Sequence, residues 1–170
     1  MINYVGIIPQ PYSGEYNEKI YDIESVWNSR EWTWVKFEED CETWCGNFRG
    51  APIAVSLSEQ YDKILVLTKD YLYLLERSNG VLIDYISQPE YHCLTVTPNG
   101  DFLVAGYYDI EMITDNLKST SRIETPFQLD MIEFHEWNKN ILRIECYEFL
   151  NWENRKKIFL DCDTMEIFMK

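Results

Sequence analysis

Residues 54–75, AVSLSEQYDKILVLTKDYLYLL, align without gaps on residues 93–114, CLTVTPNGDFLVAGYYDIEMIT, at a spacing of 39. Val55, Leu57, Ile64, Leu65 and Leu74 fall on Leu94, Val96, Leu103, Val104 and Ile113, Asp62 falls on Asp101, and Asp70 falls on Asp109. Strands resemble one another in their apolar positions, so the two aspartates at turn positions carry the match. A repeated chain is tightly constrained, because each unit must bury its apolar face by stacking on its neighbours.

Each copy reads as β-structure: an alternating strand, a turn, an apolar strand and a third strand. Asn79-Gly80 and Asn99-Gly100 supply the residues that tolerate φ > 0 in a tight hairpin. The hairpin 72–86, LYLLERSNGVLIDYI, closes the first copy, and 156–170, KKIFLDCDTMEIFMK, closes the chain with its turn near Cys162 and Asp163. Between them 131–149, MIEFHEWNKNILRIECYEF, repeats the order more loosely. The reading is a single all-β domain over 1–170, with units 51–89, 90–128 and 129–170 and a divergent N-terminal unit 1–50. Within that unit, 15–28 could form a short helix, since Ile20, Ile23, Val26 and Trp27 share a helical face.

A period of ~40 residues with about four strands marks a propeller blade. The repeat core resembles WD40-type or similar blades, without their Gly-His and Trp-Asp marks. At most about four blades fit, near the lower limit for ring closure, so an open or small propeller is expected, with a β-sandwich as the alternative.

A 46% hydrophobic composition over 170 residues is enough for a real core without disulfide or metal support. Its 6 Trp and 12 Tyr exceed what that core needs, so some rings are expected at the surface as interface anchors. With 29 acids against 15 bases, a formal charge of −14, the chain repels phosphate backbones and attracts basic proteins. Direct nucleic-acid binding is therefore disfavoured. The start of the chain has no basic segment, and its apolar run from Val5 to Ile8 stops at Pro9, which predicts neither signal peptide nor membrane span. Five cysteines with no framework spacing fit reduced thiols, so the expected location is cytoplasmic.

Known chemistries find little footing. Cys41 and Cys45 have zinc-compatible spacing but no second ligand pair, and His92-Cys93 is expected to point to opposite faces of a strand. His92 and His135 stand in no nucleophile context, and no phosphate-cradling glycine loop occurs. No metal, cofactor or catalysis is expected. An enzyme would need carboxylates or a histidine brought together by folding, which spacing does not reveal.

The stretch 34–48, WVKFEEDCETWCGNF, offers acids beside aromatic rings. At least two of Trp34, Phe37, Trp44 and Phe48 are expected in the core as hairpin arms. Glu38, Glu39, Asp40 and Glu42 would crowd the tip and, with Trp44, form the candidate contact set for a cationic partner. A second patch of the same character comprises Glu133, Glu136 and Trp137 with Asp130, around His135.

Trp34, Phe37, Glu38, Trp44, Cys45, Gly46 and Phe48, followed by the repeat core in a short acidic chain, resemble the immunity proteins of bacterial polymorphic-toxin and contact-dependent inhibition systems. That resemblance implies neutralisation of a cognate toxin, commonly a basic nuclease, by covering its active site. It carries over no functional residue. The alternative expectation is a propeller-like binding module with no toxin partner.

Overall fold

The computed structural model describes residues 1–169 and is all-β, with no helix among them. Its strands form four four-stranded sheets, one for each stretch of about 40 residues. Packing divides the chain into two compact units, Met1–Pro89 and the part from Glu90 onward.

In the first unit, β1 (Tyr4–Ile8), β2 (Asn17–Tyr21), β3 (Trp32–Glu39) and β4 (Glu42–Arg49) make sheet A in the order β1-β3-β4-β2. Sheet B runs β5 (Pro52–Ser58), β6 (Lys63–Thr68), β7 (Tyr71–Glu76) and β8 (Leu82–Ser87) in simple succession. In the second unit, β9 (Cys93–Val96), β10 (Phe102–Ala105), β11 (Ile110–Ile113) and β12 (Thr120–Arg122) make sheet C, and β13 (Leu129–Asn138), β14 (Ile141–Glu148), β15 (Asn151–Asp161) and β16 (Glu166–Phe168) make sheet D, each in succession. The matched segments are thus β5-β6-β7 and β9-β10-β11. The last residue of the closing hairpin, Lys170, lies outside the described residues.

Composition explains which strands go inside. The continuous runs ILVL and YLYLL of β6 and β7 are buried on both faces, whereas β3 alternates buried with half-buried residues and so covers a core with one face. In the first unit Tyr21, Val35, Phe37, Trp44 and Phe48 pack against Ile64, Val66, Tyr71, Tyr73 and Leu75. In the second, Leu103, Ala105 and Ile110 pack against Leu129, Ile132, Leu142, Ile144, Ile158 and Leu160.

The helix expected within 15–28 is replaced by a strand and a loop. Asn17–Tyr21 is β2, which pairs in parallel with β4, and the chain then turns through 22–31. Ile20 is 69%, Val26 93% and Trp27 77% exposed, so of the apolar face that suggested a helix only Ile23 packs against the core. What decides the segment is one residue. The ring of Tyr21 stacks on Phe48 at 4.3 Å and its hydroxyl donates to the Gly80 carbonyl at 2.5 Å, while the strand also satisfies the otherwise open edge of β4. The loop is fixed from sheet B, where the Tyr71 hydroxyl donates to Asn28 Oδ1 at 2.5 Å and Asp70 accepts from Ser29 N at 2.7 Å.

Candidate functional site

The β3–β4 hairpin sorts its residues by pleat. Register pairs Phe37 with Trp44, Val35 with Gly46 and Thr33 with Phe48 on the inner face, and Trp32 with Arg49, Trp34 with Asn47 and Lys36 with Cys45 on the outer. Trp44 is therefore corrected from a contact residue to a core residue. It is 7% exposed, lies 4.0 Å from the Phe37 ring at 6° between planes, and has Lys19 Nζ 4.1 Å above it.

The four acids do gather at the tip, where Asp40 turns the chain at φ 45°. Glu38 pairs with Lys36 at 2.5 Å, Glu39 with the N-terminal amine, and Asp40, 79% exposed, lies 3.8 Å from that amine. Glu39 raises the amine's pKa by accepting its hydrogen bond. Glu42 is exposed and has no ion-pair partner among the described residues.

The second patch is charged but compensated. Arg143 donates to both oxygens of Glu136 at 2.8 and 2.9 Å, which pulls that carboxyl from 4.5 down to about 2. Arg155 bonds Glu133 and reaches Glu145 Oε2 at 2.8 Å, while Arg143 also bonds Glu145. Asp130 is buried and accepts from Trp152 Nε1 at 2.7 Å. Trp137 packs against the core and donates Nε1 to Thr95 Oγ1 at 3.0 Å, so it is largely a structural side chain.

Folding adds Glu145 to this patch, which adjacency along β13 could not show. Glu133, His135 and Glu145 place ligand atoms within 4.8 Å of one another, and His135 Nε2 lies 3.8 and 3.7 Å from the two carboxylates without a hydrogen bond. These are the residues that could hold a metal, but Arg155 already occupies the same oxygen of each glutamate. A dication there would have to displace a guanidinium.

The expectation that His92 and Cys93 point apart also needs correction. His92 precedes β9, so strand alternation does not govern it, and His92 Nε2 and Cys93 Sγ both reach the Ile132 carbonyl, at 2.9 and 3.4 Å. Burial pushes the Cys93 thiol pKa up.

The outer face of sheet A holds a feature that the sequence reading missed. Trp32 and Trp34 of β3, Asn47 of β4 and Glu18 and Ile20 of β2 line a groove of about 360 Å³, with Gln10, Pro11 and Ser13 as its rim. Asn47 Nδ2 donates to Glu18 Oε2 at 2.6 Å. The Arg49 guanidinium lies 3.8 Å over the Trp32 ring and donates to both oxygens of Asp22, at 2.9 and 2.6 Å, holding that carboxyl below its usual range. The signal was Trp-x-Trp at strand spacing, which puts two indoles on one face.

No family model and no curated protein matches the chain. Among solved structures, the N-terminal domain of Nup159 matches 71% of this chain and 34% of its own at 12% identity, with a TM-score of 0.49. The dihydro-heme d1 dehydrogenase NirN, solved in complex with DHE, matches 82% of this chain and 33% of its own at 14% identity, with a TM-score of 0.55. The chain spans about a third of the length of each. The likeness to NirN shows the fold alone, and that fold is propeller-like: four sheets of four strands, antiparallel except where β2 joins β4.

Proposed function

We propose that this chain is a protein-binding scaffold that neutralises a cognate bacterial toxin, a basic protein of the nuclease kind, by covering its active site. The observation that carries the reading is the outer face of β3. There Trp32 and Trp34 lead along one strand to Glu38 and the acid tip, so desolvatable rings and carboxylates share one surface. The propeller-like fold is consistent with such a scaffold, and the resemblance in 34–48 supplies the toxin class. Action is by occlusion in the cytoplasm, with no reaction, cofactor, nucleic acid or membrane involved. Among the described residues no helix is long and apolar enough to cross a membrane.

Carboxylates placed where a nuclease expects phosphates serve such an inhibitor twice, by filling the cationic cleft and by raising the association rate. The test is co-expression with the C-terminal toxin domain encoded beside this gene. Growth should be restored and the two chains should purify together. Growth arrest that persists while this chain is soluble and folded sinks the reading, and a gene with no toxin neighbour favours the plain scaffold.

A further inference from the structure

We infer that the groove on the outer face of sheet A is a receptor for an arginine side chain of the cationic partner. The inference rests on the proposed class of partner but concerns a separate site from the acid tip. Its walls are aromatic, and among the described residues its only charged lining residue is Glu18. That carboxylate has a neutral partner, Asn47, and no Lys or Arg partner among the described residues, so Oε1 remains available to accept. Lys19, its neighbour, lies on the other face over Trp44, and the charge of Arg49 is already met by Asp22.

Sheet A also shows what its ring faces receive. Lys19 lies over Trp44, Arg49 over Trp32 and Lys36 over Tyr4, at 4.1, 3.8 and 5.3 Å, because the indole and phenol quadrupoles attract cations. Trp34 alone among the rings lining the groove has no cation over it among the described residues. A planar guanidinium satisfies both vacancies at once, stacking on the Trp34 indole and donating to Glu18. A neutral ligand would use the ring and leave the carboxylate unmatched.

The test is a titration of the whole chain, isotope-labelled, with the blocked tripeptide Ac-Gly-Arg-Gly-amide, followed at the Trp34 indole N–H resonance assigned with Trp34→Phe. Its citrulline counterpart and methyl glucoside are the neutral controls. The arginine peptide should give a saturable shift in the millimolar range. Glu18→Gln, which keeps shape and the amide contact, should weaken binding roughly 10-fold, the difference between a charge-assisted and a neutral hydrogen bond. An unsaturated response, equal binding of citrulline or of the sugar, or a Glu18→Gln variant that binds like the parent overturns the inference. No toxin is needed, so a negative result leaves the neutralisation reading standing, and a failed growth rescue leaves the groove standing.

Discussion

Replacing Trp44 by alanine separates a core tryptophan from a contact tryptophan. A buried tryptophan removes roughly 150–250 Å² from water, which at about 25 cal/mol per Å² is worth about 4–6 kcal/mol as an upper bound. Alanine keeps part of that, and truncations of this kind cost about 3–5 kcal/mol. The Phe37 stack at 4.0 Å and the Lys19 cation at 4.1 Å place Trp44 in the upper part of that range. With a loss of about 4 kcal/mol and a urea dependence of about 2 kcal/mol per M, the midpoint should fall by about 2 M. Far-UV circular dichroism and tryptophan fluorescence should both record it, and their coincidence tests whether the two compact units unfold together. Should Trp44→Ala prove too unstable to isolate, Trp44→Phe keeps a stacking ring and should cost about 1–2 kcal/mol. A midpoint within ~0.3 M of the parent for Trp44→Ala would refute the placement, since surface substitutions stay within about 0.5 kcal/mol.

Gly80→Ala should lower the thermal midpoint by several degrees, because an added Cβ would sit 2.6 Å from Trp44 Cη2 at a φ of 69° that favours glycine; an unchanged midpoint would show that the turn yields. The Glu136 carboxyl, depressed by Arg143, contributes to stability above its ordinary 4.5 and loses that contribution as pH falls toward about 2. Carboxyl carbon titration by NMR should give a midpoint near 2 that rises in Arg143→Ala; a midpoint of 4 in the parent contradicts the pairing. Iodoacetamide should modify exposed Cys41 in the native chain well before Cys45 and Cys146, whose thiols burial pushes up to about 11, and equal rates would show that the cores open freely. Lysine at Glu38, Glu39, Asp40 and Glu42 together should slow association with the toxin domain and flatten its salt dependence. Lysine at Glu133 and Glu136 should instead lower stability by setting a like charge against Arg155 and Arg143, which retain Glu145; the reverse pattern would exchange the two patches' roles.

Legibility in the sequence followed the range of the interactions. The repeat, the hairpins at Asn79-Gly80 and Asn99-Gly100, and the Asp40 turn are local, and backbone preference together with strand alternation was enough to place them. The helix at 15–28 failed because its periodicity was real but its energetics lay elsewhere, in the contacts of Tyr21 with Phe48 and Gly80. Trp44 was misplaced for a related reason. Facing Phe37 across the ladder puts it on the inner face, and that register depends on a turn of only Asp40 and Cys41. The groove needs β2, β3, β4 and the loop at 10–13 together, so no single stretch could reveal it.

Net charge is a different kind of observation from a charged patch, and folding separates the two. Arg49, Arg77, Arg122, Arg143, Arg155, Lys63 and Lys156 all end in ion pairs with carboxylates. The more exposed of these pairs, such as Arg122 with Asp109, add little stability, but all of them withdraw the cations from play. The surplus of −14 is then expressed by carboxylates such as Glu18 and Glu42, which have no basic partner among the described residues. Because the far field sums over all of them, removing any one distant acid should lower an association rate slightly. Dissociation is set by short-range contacts, where rings and carboxylates meet. On that reasoning Glu18→Gln should act mainly on the dissociation rate of the complex with the toxin domain, and a change confined to the association rate would count against it.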